Sequence, residues 1–577
     1  MRIEEQISKM AAAAFAKAFE RDVPPVVRKS QDEKHGDFQL NGVLPLAKQE
    51  KKNPRELAER VAALLVDAEA FERVEVAGPG FINLSLRPSW IAAQLKDIAS
   101  GKTPSISAVE NKETIVVDFS GPNIAKQMHV GHIRSTIIGA AIVRLLRAIG
   151  HEVIGDNHVG DWGTQFGLLI AGMAAFGDAK ALEDNAIEEL ERIYKLASAR
   201  AKEDTAFAEV ARSELAKLQN GDAQNLAMWK RFADTTKKSL DVVYERLGIT
   251  FDTWLGESTF NDMLAGVAED LEKRGIARKN EGALCVFFGD HESAPADLRK
   301  IKEPFIVRKS DGAFLYSTTD IATAYYRRDT QKATRSVYVV DSRQGLHFKQ
   351  LFAVLKLLGF EGEFVHVGFG SILGEDGKPL KTRDGGTVKL ASVLDEAEER
   401  AGARIREEGL EVSPDELART TSIVGLGAVK YADLRQNRLS DYVFDWDKMI
   451  SFKGNAGPYL QYAYARIQSV FRKGEVDKAS LDNPTELLLD APEERALAKT
   501  LLRFGDVVHA AAETYQPHLL CDHLYGLARD FSSFYEACSI LKAEGNVRAS
   551  RLTLTDLTGK QLASGLHLLG IGTVDRM

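Results

Sequence analysis

The chain is predicted to be an α/β multidomain protein. A doubly wound parallel sheet carries a helical insertion, with a small mixed α/β unit ahead of it and an all-helical bundle behind. Three observations predict this. From residue 112 onward, β-branched apolar runs alternate with stripes of helical period. Residues 180–275 break that alternation with charged amphipathic helices, and beyond about residue 388 strand signals become scarce. At 577 residues the chain exceeds what one core sustains, so several domains are required.

The first domain, 1–107, has helical patterns over 3–20 and 54–68 and strand-like runs at 72–76 and 81–86. The turn-rich hinge 101–107 closes it. The sheet domain spans 108–387, with its insertion at about 180–298. Its first strand is the run Thr114-Ile115-Val116-Val117. Ile133, Ile137, Ile138, Ala141, Ile142, Leu145, Leu146 and Ile149 then recur at helical spacing, and Gly150 supplies the stop. In the insertion, Leu182, Ile187, Leu190, Ile193 and Ala197 form one apolar stripe and Trp229, Phe232, Leu240 and Leu247 another. The parallel sheet is expected to resume at Pro304-Phe305-Ile306-Val307, continue through 336–341 and end near 364–367. Residues 388–454 form a helical linking region. Long helices at 458–473, 492–515, 517–539 and 548–568 make 455–577 a bundle.

Bulk properties narrow the function classes. A hydrophobic content of 44% with 27% charged residues is that of a soluble protein, and no stretch of some twenty apolar residues or signal-peptide core is present. A cytoplasmic protein without membrane attachment is expected. Cys285, Cys521 and Cys538 are too scattered for a disulfide framework or a four-cysteine zinc site, so no zinc and no resident metal are expected. The net charge of −8 argues against a general nucleic-acid coat but leaves room for a local basic face. Candidates for that face are Arg299-Lys300-Ile301-Lys302, Arg327-Arg328 and Arg472-Lys473.

The chemistry concentrates in residues 118–135. A strand delivers this loop to a helix N-terminus, whose free N–H groups and positive dipole end favour a phosphate chain. Gly131 lets a ring or phosphate approach the backbone. His129 and His132, three apart, share one side of the first turn and are able to donate to phosphate oxygens. The residues alone also allow a pair of surface or capping histidines.

The string Ser120-Gly-Pro-Asn123-Ile-Ala-Lys126-Gln-Met-His129-Val-Gly131-His132-Ile-Arg-Ser135-Thr-Ile-Ile-Gly139 resembles the His-Ile-Gly-His signature region of class I aminoacyl-tRNA synthetases, specifically the arginyl-tRNA synthetases. Asp156-Asn-His-Val-Gly-Asp-Trp-Gly-Thr-Gln-Phe-Gly167 is similar to a second segment of that family. So are Leu315-Tyr316-Ser-Thr-Thr-Asp320, Gly457-Pro-Tyr-Leu-Gln-Tyr462 and the terminal Leu568–Met577. The resemblance covers essentially the whole chain. It implies a class I Rossmann-like catalytic domain, an N-terminal additional domain that binds tRNA, and an all-α C-terminal anticodon-binding bundle. The implied activity is arginine-tRNA ligation with ATP and Mg²⁺, by an enzyme expected to work as a monomer on L-arginine and tRNA(Arg).

The resemblance also implies roles. His129 and His132, with Gly131, would hold ATP and stabilise its α-phosphate, a reaction that needs positioning and positive charge more than a protein nucleophile. Class I enzymes carry a Lys-Met-Ser-Lys-Ser loop, and the corresponding residues here, Gly377-Lys378-Pro-Leu-Lys381-Thr-Arg383-Asp-Gly-Gly386, depart from it. One register places Lys378 and Lys381 on the two lysines. The other, anchored on Thr382-Arg383, leaves the second lysine missing, and Lys126 is then the family's substitute. Arginine would be read by Asp118, Ser120, Asn123, Tyr316, Asp320 and Gln344, since a guanidinium's rigid fork calls for paired carboxylates. For tRNA, Phe81 and Asn83 resemble the N-terminal domain's contact segment, while Tyr462, Tyr535 and the terminal Met577 suit the anticodon loop. A class I synthetase of another specificity, such as the lysyl type, and a catalytically inactive tRNA-binding paralogue stand as alternatives.

Overall fold

The computed structural model describes residues 2–30, 32–378, 380, 388–409, 412–481 and 486–577. Two compact units emerge, Met1–Val109 with Glu408–Glu416 and Ser451–Met577, and Glu110–Glu407 with Leu417–Ile450. The amino-terminal part of the first unit is an antiparallel sheet in the order β1 (Val27–Lys29), β2 (Phe38–Leu40), β4 (Phe81–Leu86), β3 (Phe71–Ala77). Helices α1 (Ile3–Phe19), α2 (Val43–Glu50), α3 (Pro54–Leu65) and α4 (Pro88–Ala99) accompany it. Helix α3 starts where it does because Asn53 accepts the Arg55 N–H and Pro54 takes the first helical position, which lacks an amide partner anyway.

The second unit is built on parallel strands in the order β12 (Glu363–His366), β11 (Arg335–Tyr338), β5 (Thr114–Asp118), β6 (Glu152–Asn157), β7 (Thr253–Trp254). Helix α5 (Val130–Ala148) connects β5 to β6. The chain first grows to one side of β5, through β6 and β7. It then returns to the other side through α12 (Tyr316–Asp329), β11, α13 (Gly345–Leu357) and β12. The strand order therefore reverses at β5, and the crevice beyond the carboxyl ends of β5 and β11 is where such sheets bind ligands.

Between β6 and β7 lie α6 (Gln165–Phe176), α7 (Ala179–Asp184), α8 (Ala186–Glu203), α9 (Thr205–Gln219) and α10 (Ala223–Arg246), so the helical excursion begins earlier than residue 180. Phe166, Leu169, Leu190, Ile193 and Phe232 form its core. The expected return of the parallel sheet at 304–307 is corrected here. After α11 (Leu264–Lys273), β10 (Phe305–Arg308) pairs antiparallel with β9 (Ala283–Val286), and β9 with β8 (Arg278–Asn280), in a separate small sheet. An apolar run shows that a strand is buried but not which edge it pairs with.

The unit is completed by the short parallel pair β13 (Ile372–Leu373) and β14 (Tyr442–Val443), with α14 (Leu390–Glu407), α15 (Pro414–Leu434) and α16 (Trp446–Met449). The C-terminal part of the first unit consists of α17 (Gly457–Gly474), α18 (Pro492–Leu502), α19 (Phe504–Glu513), α20 (His518–Ala537) and α21 (Gly545–Leu568). Helix α21 is buried on every face over residues 552–559, which marks it as the bundle's centre. This bundle and the amino-terminal sheet join one unit because Asp506 accepts the Ile3 N–H at 3.1 Å and so caps α1, while Lys499 pairs with Asp37 at 2.7 Å. Among the described residues no helix is long and apolar enough to cross a membrane.

One close approach positions the site. Where β5 leads into the loop, Phe119 packs against α5 at Gly139, and a Cβ on that glycine would overlap the Phe119 side chain. Gly139→Ala is therefore expected to destabilise the protein by about 1–3 kcal/mol, the usual cost of overpacking. An unchanged denaturation midpoint would contradict that packing.

Candidate active site

Helix α5 begins with a cap made of the histidines themselves. The His129 Nδ1 accepts the Gly131 N–H at 3.0 Å, and the His132 Nδ1 accepts the His129 N–H at 3.2 Å. An imidazole whose Nδ1 accepts is neutral and carries its proton on Nε2. The protonation preferences agree. Burial, then the neighbouring His129, lowers the His132 pKa to about 4, and burial followed by Lys126 lowers that of His129. The two rings lie 3.9 Å apart between centroids, so both cannot charge cheaply. Gly131 is required by this arrangement, since a Cβ there would stand 2.8 Å from the His129 Cε1. The site therefore offers two neutral Nε2–H donors at a helix N-terminus.

A cavity of about 510 Å³ opens beside them, at the carboxyl ends of β5 and β11. His129, Gly131, His132, Asp118, Ser120 and Asp320 all line it. Asn123, Tyr316 and Gln344 lie outside that lining. Tyr316 is 59% exposed at the start of α12, and Gln344 is exposed at the start of α13. Asn123 is exposed, with its backbone bridged to Gly160. The chain that follows residue 387 returns to the histidines, because the Val130 N–H donates to Val388 and the Leu390 N–H to Met128, both at 2.9 Å. Lys378 is exposed in a turn just beyond β13, its amide donating to Asp376. Lys381 and Arg383 lie outside the described residues. Lys126 sits with its Nζ 4.9 Å from the centre of the Tyr194 ring.

Two expected arginine ligands are already partnered by the protein. The hydroxyl of Ser120 meets Thr136 at 2.9 Å and the Tyr244 hydroxyl at 2.7 Å, and its amide donates to Ser135. These bonds hold Ser120 at φ +73° and engage its hydroxyl within the protein, so its side chain props the loop. Asp118 accepts from the Arg327 Nη2 at 2.7 Å, and the same nitrogen donates to Asp156 at 2.9 Å. Arg327 is 1% exposed, which corrects its placement on a basic surface face. Burial opposes its charge, but Asp118 and Asp156 outweigh that and raise its pKa. Burial raises Asp156 above the usual carboxylate range, against the pull of Arg327. The signal for Arg327 was present in its spacing, since it follows Asp320 by seven residues on α12 and so shares that residue's face. His347 carries no comparable signal in the sequence. Its Nε2 lies 2.6 Å from the Asp320 Oδ2.

Asp118, Asp156 and His158 come close enough to suggest a metal site. The Arg327 guanidinium already bonds both carboxylates there, so the cluster does not fit a second cation.

In the other unit, a cavity of about 600 Å³ is lined by Tyr462, Tyr535, Arg466, Lys473, Lys542 and Met577. Tyr462 and Tyr535 are 38% and 41% exposed, with the Arg466 guanidinium 5.1 and 5.7 Å from their ring centres. The terminal segment reaches this cavity because Arg472 donates to the Asp575 carbonyl at 2.9 Å and Gln461 to that of Gly572 at 2.8 Å. In the amino-terminal sheet Phe81 is half-buried. Asn83, by contrast, is 5% exposed and accepts from Gln39 at 2.9 Å, so its carbamoyl oxygen is engaged within the sheet rather than offered to a base.

Comparison with known proteins agrees with this architecture. The model of the class I (R) tRNA synthetase catalytic domain matches residues 94–446. The DALR anticodon binding domain matches 460–577, and the arginyl tRNA synthetase N terminal domain matches 1–86. The arginine–tRNA ligase of Hahella chejuensis is 45% identical over 575 residues, covering 99% of this chain and 98% of its own. That of Proteus mirabilis is 45% identical over 581 residues, covering 100% and 99%. The crystal structure of arginyl-tRNA synthetase from Plasmodium falciparum superposes with a TM-score of 0.85 at 28% identity, over 100% of this chain and 99% of that one. The Thermus thermophilus structure shares the fold, with a TM-score of 0.83 at 24% identity and full coverage of both chains. The parallel sheet with its paired histidines is thus a class I tRNA synthetase catalytic domain. More narrowly, the chain belongs to the arginyl-tRNA synthetase family.

Proposed function

We propose that this protein is an arginine–tRNA ligase. It activates L-arginine with ATP to arginyl-adenylate and passes the arginyl group to the terminal ribose of tRNA(Arg). The observation that carries this reading is a single cavity lined by both the neutral histidine pair and the acidic residues Asp118 and Asp320. The arginine carboxylate attacks the α-phosphate in line, and pyrophosphate leaves. The Nε2–H groups of His129 and His132 donate to the oxygens on which charge accumulates, as fixed dipoles that need no reorganisation. Lys126 and Lys378 supply positive charge toward the pyrophosphate, with Lys381 and Arg383 their expected partners.

Asp320 takes the substrate guanidinium, and Asp118, braced by Arg327, adds the second negative wall. From outside the cavity lining, Tyr316 would shape that end and Gln344 would add polar contacts, while Asn123 would meet the α-amino or carboxylate end of the substrate. Mg²⁺ bound with ATP would supply charge neutralisation at the phosphates beside Lys126 and Lys378. Tyr462, Tyr535 and Met577 receive splayed anticodon bases, with Arg466 stacked between the rings. Phe81 gives the amino-terminal domain a stacking ring, and Asn83 contributes only once its bond to Gln39 opens.

The test is aminoacylation by the purified protein. Arginine should charge tRNA(Arg) and lysine should not, because carboxylates arranged for a planar fork are left unpaired by a point charge. ATP–pyrophosphate exchange should need tRNA. Charging with lysine instead of arginine would refute the specificity.

A further inference from the structure

The amino-acid end of the cavity contains a residue that the arginine-reading set leaves out. Asp320 sits one turn into α12, and His347 sits within the first turn of α13 with its Nε2 2.6 Å from the Asp320 Oδ2. An ionised carboxylate only accepts, so this nitrogen carries the proton and donates. The imidazole has little freedom. Phe305 stacks with it at 6.1 Å, while Tyr316 and Phe348 meet it edge-on at 4.9 and 5.4 Å. It is largely buried, as is the carboxylate it binds.

A guanidinium is recognised best when both carboxylate oxygens lie in its plane, which requires a fixed rotation of the carboxyl group. A carboxylate held at one oxygen by a rigid donor has that rotation set before substrate arrives, and its other oxygen stays free. The second acidic wall is built alike, with Asp118 held by Arg327. Each carboxylate thus carries a protein donor of its own, and the set is pre-organised rather than assembled around the ligand.

We propose that His347 is a positioning residue for arginine recognition. It orients Asp320 for the substrate guanidinium and thereby contributes to the selection of arginine. The inference rests on the reading of Asp320 as the guanidinium partner.

The experiment measures steady-state aminoacylation by His347→Ala, His347→Gln and Asp320→Asn in the full-length protein, with arginine and ATP varied separately. His347→Ala should raise the KM for arginine about tenfold, the loss associated with one hydrogen bond to a charged group. Its kcat and its KM for ATP should stay within about twofold of wild type. His347→Gln, which restores a donor, should recover most of the loss. Asp320→Asn should raise the arginine KM at least as far.

If Asp320→Asn raises it and His347→Ala does not, the positioning role is refuted while the reading of Asp320 stands. If neither does, the reading of Asp320 fails and the inference falls with it. A His347→Ala protein that loses kcat, ATP affinity and thermal stability together, or one that His347→Gln does not rescue, shows a structural role and refutes the proposal.

Discussion

His132→Ala is expected to lower kcat for arginylation by about 10²–10³-fold with little change in the KM for arginine, the signature of a lost donor to transition-state charge. The argument depends on the ring being neutral. Its Nδ1 is committed to the His129 amide, and burial with the adjacent imidazole holds its pKa at about 4. A depressed histidine pKa means that the unfolded chain takes up a proton below its ordinary value of about 6.5 while the folded one does not. The ring's contribution to stability is accordingly complete above that value and is lost as pH falls through about 4. In a histidine-labelled protein, the resonance absent from His132→Ala should stay flat from pH 8 to about 5, well above the folded value. A titration centred near 6.5 would show a cationic site and a different means of holding phosphate. Gly131→Ala offers a second check on the cap, since its Cβ would stand 2.8 Å from the His129 Cε1 and displace that ring.

The elements that could be read from residue order are those whose own periodicity decides them. Helix α5 runs Val130–Ala148 where isoleucines and alanines recur every third or fourth residue, and β5 occupies the β-branched run before it. Pairing is a different matter, because strand partners are chosen by the rest of the chain. Phe305–Arg308 reads as one more sheet strand yet pairs antiparallel with Ala283–Val286. The site divides in the same way. His129 and His132 stand in a contiguous string whose spacing fixes their shared face, whereas His347 meets Asp320 across 27 positions and Arg327 meets Asp118 across 209. Arg327 misleads in particular. Beside Arg328 it reads as a surface basic pair, but helical phase sends it under the sheet while Arg328 packs over Tyr325 and Phe360. Composition reports charge, and only tertiary structure reports which charge is buried.

Arg327→Met should accordingly be among the most damaging single changes in the catalytic unit, at about 3–5 kcal/mol of lost stability, because one side of a buried ionic triad would vanish. The substitution keeps an apolar stem over the Tyr338 ring, whose centre lies 5.0 Å from the guanidinium carbon, so packing loss is not the main term. What remains is Asp156, fully buried, beside the Asp118 carboxylate with no cation between them. Like charges in a dry site raise one another's pKa, so the variant's folded state would bind a proton that the unfolded chain releases. Its deficit should therefore shrink as pH falls from neutral toward about 5, the reverse of the acid lability expected from the buried histidines. Adding Asp156→Asn removes one of the opposed charges and should recover much of the midpoint in chemical denaturation. Arginine affinity should stay poor in that double variant, since Asp118 would still lack the donor that holds it. A deficit below about 1 kcal/mol for Arg327→Met, or one that grows toward low pH, would mean that the triad does not carry the charge balance of the site.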